Sequence, residues 1–537
     1  MADLPSGFRN IKHIFVLMLE NRSFDHLFGY VPGVQTTPLS GKETCPFDPT
    51  LTSSAQVEVA PNAQDETYPD PPHEFRDVYF QLTGLLNGNR YPPSALPMNG
   101  FAASAREGLQ QGESMAKKIR LAVIRGNGSY ALQCLDRRSN GRSSGILRTL
   151  AAEFAVCENW YSSMPGPTWP NRFFVHAATS GGLDNSPADP RAVGAVTIDK
   201  LGFDFMNGTI YDQLGQNDWR VYHDDTFPQV LAIKGMVKRR LTLGGINFKK
   251  LEQLADDIKH ADFAPKYVFI EPDYALLRRY YAPFSGSRHG NSQHPPGLLS
   301  EGEGLIKRVY EWIRNSPLWE RSVLIITYDE HGGFYDRYSP PTAIAPKDYP
   351  LNRNKAEFPA DFDFKLLGVR VPAVIVSPWI KRGTVDSQIH DHTSILKTVE
   401  TLFGLRPLTE RDKAASNVGH LFTESDPRTD TPEHLPDVQE PEAQHRAAEE
   451  DEGNEETLTG NEAGVLRIAM MIDHLLNEQG AGPLRRALDP LVASTFPSLA
   501  ITPIPLLPTR NSAREYVSRV AARLNTSTGQ LLEPSEQ

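Results

Sequence analysis

A chain of 537 residues, 39% of them hydrophobic and 23% charged, has the material for one large α/β body or two smaller ones. Its formal net charge of −11 argues against nonspecific nucleic-acid binding, which takes a basic surface. Three cysteines (Cys45, Cys134 and Cys157) make neither a disulfide framework nor a metal-ligand spacing, and nothing in their placement assigns them chemistry.

The opening MADLPSGFRN lacks the basic patch and long apolar stretch of an export signal, and no run is long enough for a membrane span, so a cytoplasmic protein is expected. Within Ile11–Phe28, the apolar run Ile14–Leu19 has the length and β-branched content of a strand buried on both faces, central in a parallel sheet. Glu20 and Asn21 then fall just past its carboxyl end, where open α/β sheets bind ligands, and offer hard oxygens suited to Mg²⁺, Ca²⁺ or Mn²⁺. The plainer alternative, that Asn21–Ser23 caps the next helix, stands equally on this stretch alone.

Tyr30–Pro72 reads as a long surface loop rich in Pro, Thr, Ser and Gly, and it delivers His73 in DPPHEF. Gly145–Trp160 reads as one helix running into the core. In MPGPTWPNRFFVHAATSGG, Pro170 suits a first helical position and the helix ends at Gly181–Gly182, so Thr168 stands just ahead of a helix N-terminus. Backbone N–H groups and the dipole favour an anion there, and Arg172 one turn on adds a forked donor, although a threonine near a helix start is common.

Further strands are expected at Trp219–Tyr222, Tyr267–Ile270, Ser322–Tyr328 and Val371–Val376, with a helix at Gly302–Asn315 in the βαβ rhythm of a doubly wound sheet. Three of the strands end in Glu20, in Glu271 and in Asp329–Glu330–His331, which places acids along one sheet edge as a candidate site. His294 lies in a Gly/Ser/Pro-rich loop, and His392 sits in HDHTSI, where it or Asp391 caps a helix starting near Thr393. Ser425–Glu462 turns Pro-rich and acidic, an extended or disordered linker, before amphipathic helices near Gly464–Asn477 and Ser512–Leu524, separated by ITPIPLLP. Packing on the main body is expected of those helices, ahead of subunit pairing or a lipid surface. The expected domains are therefore a catalytic body over 1–423, a linker over 424–462 and a helical extension over 463–537.

If Glu20, Asn21, Asp329 and Glu330 meet, each pair of like charges at about 4 Å repels by about 4 kcal/mol at an effective dielectric near 20. A divalent cation on these oxygens reverses the sign of the pocket. Beside it, the Thr168 hydroxyl becomes a nucleophile toward phosphorus, with the helix N-terminus and Arg172 receiving the phosphoryl oxygens. His294, His392 and His73 are the candidates to protonate the leaving oxygen and activate water.

ENRSFDH (Glu20–His26), GPTWPNR (Gly166–Arg172), ITYDEHGGFYD (Ile326–Asp336), GVRVPAVIVSPWIKRGTV (Gly368–Val385) and HTSI (His392–Ile395) together resemble the phosphoesterase family of bacterial phosphatidylcholine-type and plant non-specific phospholipases C, which also includes an acid phosphatase. The resemblance implies an alkaline-phosphatase-like α/β fold with a doubly wound, mainly parallel sheet. It also implies a divalent metal on Glu20, Asn21, Asp329 and Glu330, a hydroxyl nucleophile at Thr168, and phosphate-binding groups among Asn171, Arg172, His176, His331 and Glu271. The expected substrate is a phospholipid, cut to diacylglycerol and a phosphorylated headgroup through a phosphothreonine, with transient contact at a membrane surface. An acid phosphatase acting on monoesters and a non-catalytic phosphate- or lipid-binding protein are the alternatives. Sulfatase chemistry fits less well, because no Cys or Ser replaces Thr168 within that family's motif.

Overall fold

The seven residues of strand β1 (His13–Leu19) are all buried, as a run without a polar face requires. The computed structural model describes residues 4–85, 93, 95–107, 125–135, 145–186, 198–199, 202–242, 246–275, 290–348, 362–438, 460–480 and 510–530. After β1 the strands are β2 (Thr44–Pro46), β3 (Gln56–Glu58), β4 (Ala155–Cys157), β5 (Ile198–Asp199), β6 (Gly202–Phe203), β7 (Trp219–His223), β8 (Phe248–Lys250), β9 (Tyr267–Glu271), β10 (Ser322–Tyr328), β11 (Ala373–Val376) and β12 (Thr384–Asp386). Strands β2–β3 and β5–β6 form separate antiparallel pairs, and the other eight make one sheet in the order β12-β4-β11-β10-β1-β9-β7-β8.

The sheet is mainly parallel, as expected. Strand β1 pairs in parallel with β10 on one side and β9 on the other, so their carboxyl ends lie together. Strand β11 alone runs antiparallel, against both β10 and β4. Strands β1, β7, β9, β10 and β11 are buried at every residue, so both sheet faces are covered. The Gly145–Glu153 and Leu299–Arg314 helices pack together, and Thr393–Phe403 packs on Thr168–Ala177.

Three local expectations change. The single helix expected over Gly145–Trp160 stops at Glu153, and Ala155–Cys157 becomes β4 between β11 and β12; the pairing available in the sheet overrides helical spacing. Thr168 is the first helical residue rather than the one before it, with Pro167 as the cap. Residues 424–438 run extended but are tied down: Lys307 Nζ donates to Leu435 O at 2.8 Å, Tyr310 Oη to Pro432 O at 2.6 Å, and Arg428 Nη1 to Glu153 O at 2.6 Å. The acidic stretch 439–459 and the ITPIPLLP segment lie outside the described residues.

The helices Gly460–Gly480 and Arg510–Gln530 pack on each other, and the first also packs on the Gln229–Ala232 turn. Val465, Leu466, Ile468 and Ile472 join the main hydrophobic core, which bears out packing on the parent body. At Gly464 the helix meets Trp169 so closely that an added Cβ would fall 2.1 Å from the indole. Because Trp169 is buried and cannot step aside, Gly464→Ala is expected to destabilise the protein by about 1–3 kcal/mol, measured as a lower urea midpoint at unchanged slope.

Candidate active site

The carboxyl ends of β10, β1 and β9 present Asp329–Glu330, Glu20–Asn21 and Glu271 side by side, because those three strands are parallel neighbours. Asn21 turns the chain sharply with φ of 59°, a left-handed conformation that asparagine tolerates better than most residues. Its N–H donates to Asp329 Oδ1 at 3.2 Å, and Glu330 N–H donates to the same oxygen at 2.7 Å. Gly332 (φ 64°) crosses directly over Asn21, where a Cβ would lie 2.6 Å from the Asn21 Cβ, so the DEHGG turn needs glycine to close on β1.

The Thr168–Ala177 helix reaches these ends through Arg172. Arg172, one turn after Thr168 on the same helix face, donates from Nε to Asp329 Oδ2 at 3.0 Å and from Nη2 to Leu19 O at 3.2 Å, and its Nη2 lies 3.8 Å from Glu20 Oε1. Arg172 Nη1 is buried without a hydrogen-bond partner. Asn171 holds the preceding loop: its Nδ2 donates to Gly166 O at 2.9 Å and Pro167 O at 3.1 Å, while its Oδ1 accepts from Met164 N at 3.1 Å.

Two atoms of the set, on Asn21 and Glu330, have the character a divalent cation would meet. Two buried oxygens, Asn21 Oδ1 and Glu330 Oε1, have no hydrogen-bond partner, which is costly unless something positive meets them. Burial, opposed by Arg172 and reinforced by Asp329, pushes Glu20 up to about 8, and burial likewise holds Glu330 well above the usual carboxylate range. Two buried acids that resist ionising, Glu20 and Glu330, are what a bound cation would relieve.

His73 and His294 close the other side. Their rings meet edge-on at 5.5 Å, and with Asp70 they bring ligand-capable atoms within 4.8 Å of one another, a second set that could serve a metal. Asn21 Nδ2 lies 3.3 Å from His73 Nε2, tying this side to the carboxylates. Burial opposes charge on His73, but Asp70, Glu330 and Glu74 outweigh it and raise the imidazole to about 10. His294 donates from Nδ1 to Pro295 O at 2.7 Å, and burial lowers its pKa.

A model of the phosphoesterase family matches residues 11–406. The chain belongs to the phosphoesterase family. It is a hydrolase of phosphate esters, on the standing of that family and of its relatives. It is 32% identical to non-specific phospholipase C3 of Arabidopsis thaliana over 443 residues, 80% of this chain and 76% of that one. Non-specific phospholipase C6 of the same plant is 33% identical over 489 residues, 87% of this chain and 82% of that one. Non-hemolytic phospholipase C of Burkholderia pseudomallei is 26% identical over 447 residues, covering 74% and 56%. Among solved structures, a protein of the alkaline phosphatase superfamily from Vibrio parahaemolyticus aligns at a TM-score of 0.28 and 14% identity, over 50% of this chain and 63% of that one. That likeness is too distant to argue from.

Four phosphoesterase residues expected at the phosphate sit differently. Asn171 spends its amide on the loop before Thr168, as above. Glu271 accepts from Gln229 N at 2.6 Å, Val230 N at 3.0 Å and Tyr274 Oη at 2.8 Å, so it anchors the Gln229–Ala232 turn. His331 Nε2 lies 2.7 Å from Gln81 Oε1 and its Nδ1 3.3 Å from Glu330 Oε2, behind the carboxylate rather than in front of it. His176 lies against Tyr211 Oη at 3.1 Å and edge-on to Phe269, a core histidine. His392, expected among the catalytic histidines, has both ring nitrogens engaged: Trp160 Nε1 donates to Nδ1 at 3.3 Å, and Nε2 donates to Asp329 O at 2.6 Å. That makes it a brace for Asp329. Sequence reading missed Gln229, whose Nε2 donates to Glu20 Oε1 at 3.1 Å from a turn carrying no motif, and Asp70 beside His73.

Burial lowers His176 to about 3. A histidine depressed in the folded state is protonated first in the unfolded chain, so its contribution falls as pH drops below about 6.5. At pH 5 that single linkage costs about 2 kcal/mol. Urea melts of His176→Gln and the unaltered protein are therefore expected to converge between pH 7 and pH 5, the variant losing less stability on acidification.

Proposed function

We propose that this phosphoesterase is a metal-dependent phospholipase C-type phosphodiesterase whose nucleophile is Thr168. What supports the reading is Arg172, one turn after Thr168 on the same helix, bonded to Asp329 and lying 3.8 Å from Glu20. A divalent cation held by Glu20, Asn21, Asp329 and Glu330 supplies positive charge that offsets the acids and favours an ionised oxygen nearby. Ca²⁺, Mg²⁺ and Mn²⁺ all suit such an oxygen-rich set.

Thr168 Oγ1, its proton passed to bulk water, attacks phosphorus and displaces the glycerol oxygen, which leaves as diacylglycerol with a proton that His294 has taken up from water at Nε2. The phosphoryl oxygens turn to the helix N–H groups and to Arg172 Nη1, the guanidinium nitrogen not spent on the protein. His294, with Nδ1–H held by Pro295 O, keeps Nε2 for proton transfer to the leaving oxygen, and His73 adds positive charge on that side. Water then attacks the phosphothreonine, releasing the phosphorylated headgroup and restoring the hydroxyl. Asn171, His331, Glu271 and His392 act as positioning residues, not on substrate.

A lipid substrate is supported by the exposed Tyr68, Leu85, Tyr338 and Ile344, on chain segments that lead to or from His73 and the DEHGG turn. A second apolar cluster includes Phe75, Met98, Phe101 and Tyr335, from the same stretches of chain. Apolar side chains left in water suit a membrane surface. Among the described residues no helix is long and apolar enough to cross a membrane, so that contact would be peripheral. Choline and ethanolamine phospholipids, assayed beside an aryl phosphate monoester, test the reading. Lipid turnover with release of diacylglycerol is expected, and turnover of the monoester alone would overturn it in favour of an acid phosphatase.

A further inference from the structure

Cys157 and Asp386 are direct partners in the parallel β4–β12 pair, at its carboxyl end and apart from the residues above. Cys157 Sγ lies 3.7 Å from Asp386 Oδ2. Two imidazoles approach the same oxygen, His390 Nε2 at 2.9 Å and His420 Nε2 at 3.1 Å, with their rings nearly parallel at 8°. The ligand atoms of Cys157, Asp386 and His390 all fall within 4.8 Å of one another. In a tetrahedral zinc site with bonds of 2.0–2.3 Å, neighbouring ligand atoms stand about 3.3–3.8 Å apart; the Cys157–Asp386 separation matches that, and the two imidazoles lie a few tenths of an ångström closer to Asp386.

The outer partners are those of metal-binding histidines. His420 Nδ1 lies 3.3 Å from Asn417 O, and since a carbonyl only accepts, the ring proton sits on Nδ1 and Nε2 faces inward. His390 Nδ1 is held by Ser394 Oγ at 3.2 Å, and Trp160 stacks on its ring at 5.3 Å. His420 Nε2 is buried 3.1 Å from Asp386 Oδ2, in a geometry poorly aligned for a hydrogen bond. Cys157, Asp386 and His390 are buried, while the His420 side chain is 34% exposed and gives an ion its way in.

We propose that Cys157, Asp386, His390 and His420 form a four-ligand structural site for Zn²⁺ or a similar borderline-soft divalent transition metal, distinct from the oxygen-rich active site. One thiolate, two imidazoles and one carboxylate select such an ion over Ca²⁺ or Mg²⁺, which take oxygen. The ion would pin β4, β12, the start of the Thr393–Phe403 helix and the Gly419–Leu421 turn to one another. It would also fix Trp160, which stacks on His390 and donates to His392, the residue that braces Asp329.

Cobalt separates this site from the active site, because only a thiolate ligand gives a sulfur-to-cobalt charge-transfer absorption. The full-length protein, stripped with a chelator and reloaded with Co²⁺, is expected to show that band. Cys157→Ser is expected to abolish it, and His420→Ala, at a partly exposed position, to weaken Co²⁺ binding by more than about tenfold with circular dichroism unchanged. Reloaded protein without the band, or a band that survives Cys157→Ser, overturns the proposal. Neither outcome bears on Thr168 or the oxygen ligands.

Discussion

Thr168→Ala is expected to lower kcat/KM for a phosphodiester by at least about 10³-fold, roughly 4 kcal/mol of transition-state stabilisation at about 1.4 kcal/mol per factor of ten. The variant removes the attacking oxygen while the helix keeps its other anchors: Pro167 caps it, Asn171 braces the loop before it, and Arg172 locks it to Asp329. Thr168→Ser keeps a hydroxyl at the same atom and is expected to recover part of the activity. Chelation followed by metal add-back should restore the unaltered protein and Thr168→Ser but leave Thr168→Ala inactive. An alanine variant that keeps its turnover with unchanged melting would move the nucleophile to another residue.

The parts of the fold legible in the sequence were those decided locally. Ile14–Leu19 has no polar face and so had to be central, and runs such as Tyr267–Ile270 and Ser322–Tyr328 carried their acids on the adjacent residues, which parallel pairing then aligned. Partners far apart in the chain were not legible. Arg172 looked like a phosphate fork from its place one turn after Thr168, yet most of its hydrogen bonds go to Asp329 and to the β1 backbone, 157 and 153 residues away. Asn171, beside Arg172, faces another way and turns back along the loop, while His176 follows Arg172 one turn deeper, where Tyr211 and Phe269 enclose it in the core. Cys157 offered no ligand spacing because Asp386 is 229 residues further on. The segment Ala155–Cys157 failed as a helix for the same reason: its strand partners, β11 and β12, were invisible to local periodicity.

The second large effect concerns charges that touch no substrate. Asp336→Ala is expected to cost about 3 kcal/mol of stability, because it takes from a buried arginine the carboxylate that pairs it through two bonds and leaves it Asp25 alone. Arg370 is 1% exposed and donates from Nε to Asp336 Oδ1 at 2.8 Å and from Nη2 to Asp336 Oδ2 at 3.1 Å and to Asp25 Oδ1 at 3.1 Å. Asp336 Oδ2 also accepts from Asp25 N at 3.1 Å, and Arg337 Nη2 reaches Asp25 Oδ1 at 3.1 Å. The knot therefore joins the segment after β1, the DEHGGFYD loop and the approach to β11. Those are three of the five motifs by which the family was legible, so their charged residues outside the site hold the segments that carry Glu20, Asn21, Asp329 and Glu330 in register. Arg337→Ala, at a less buried position, should cost less than Asp336→Ala, and urea titration of both orders them. Equal losses would mean that the two arginines share the charge of Asp25 evenly, and that burial of Arg370 does not set the penalty.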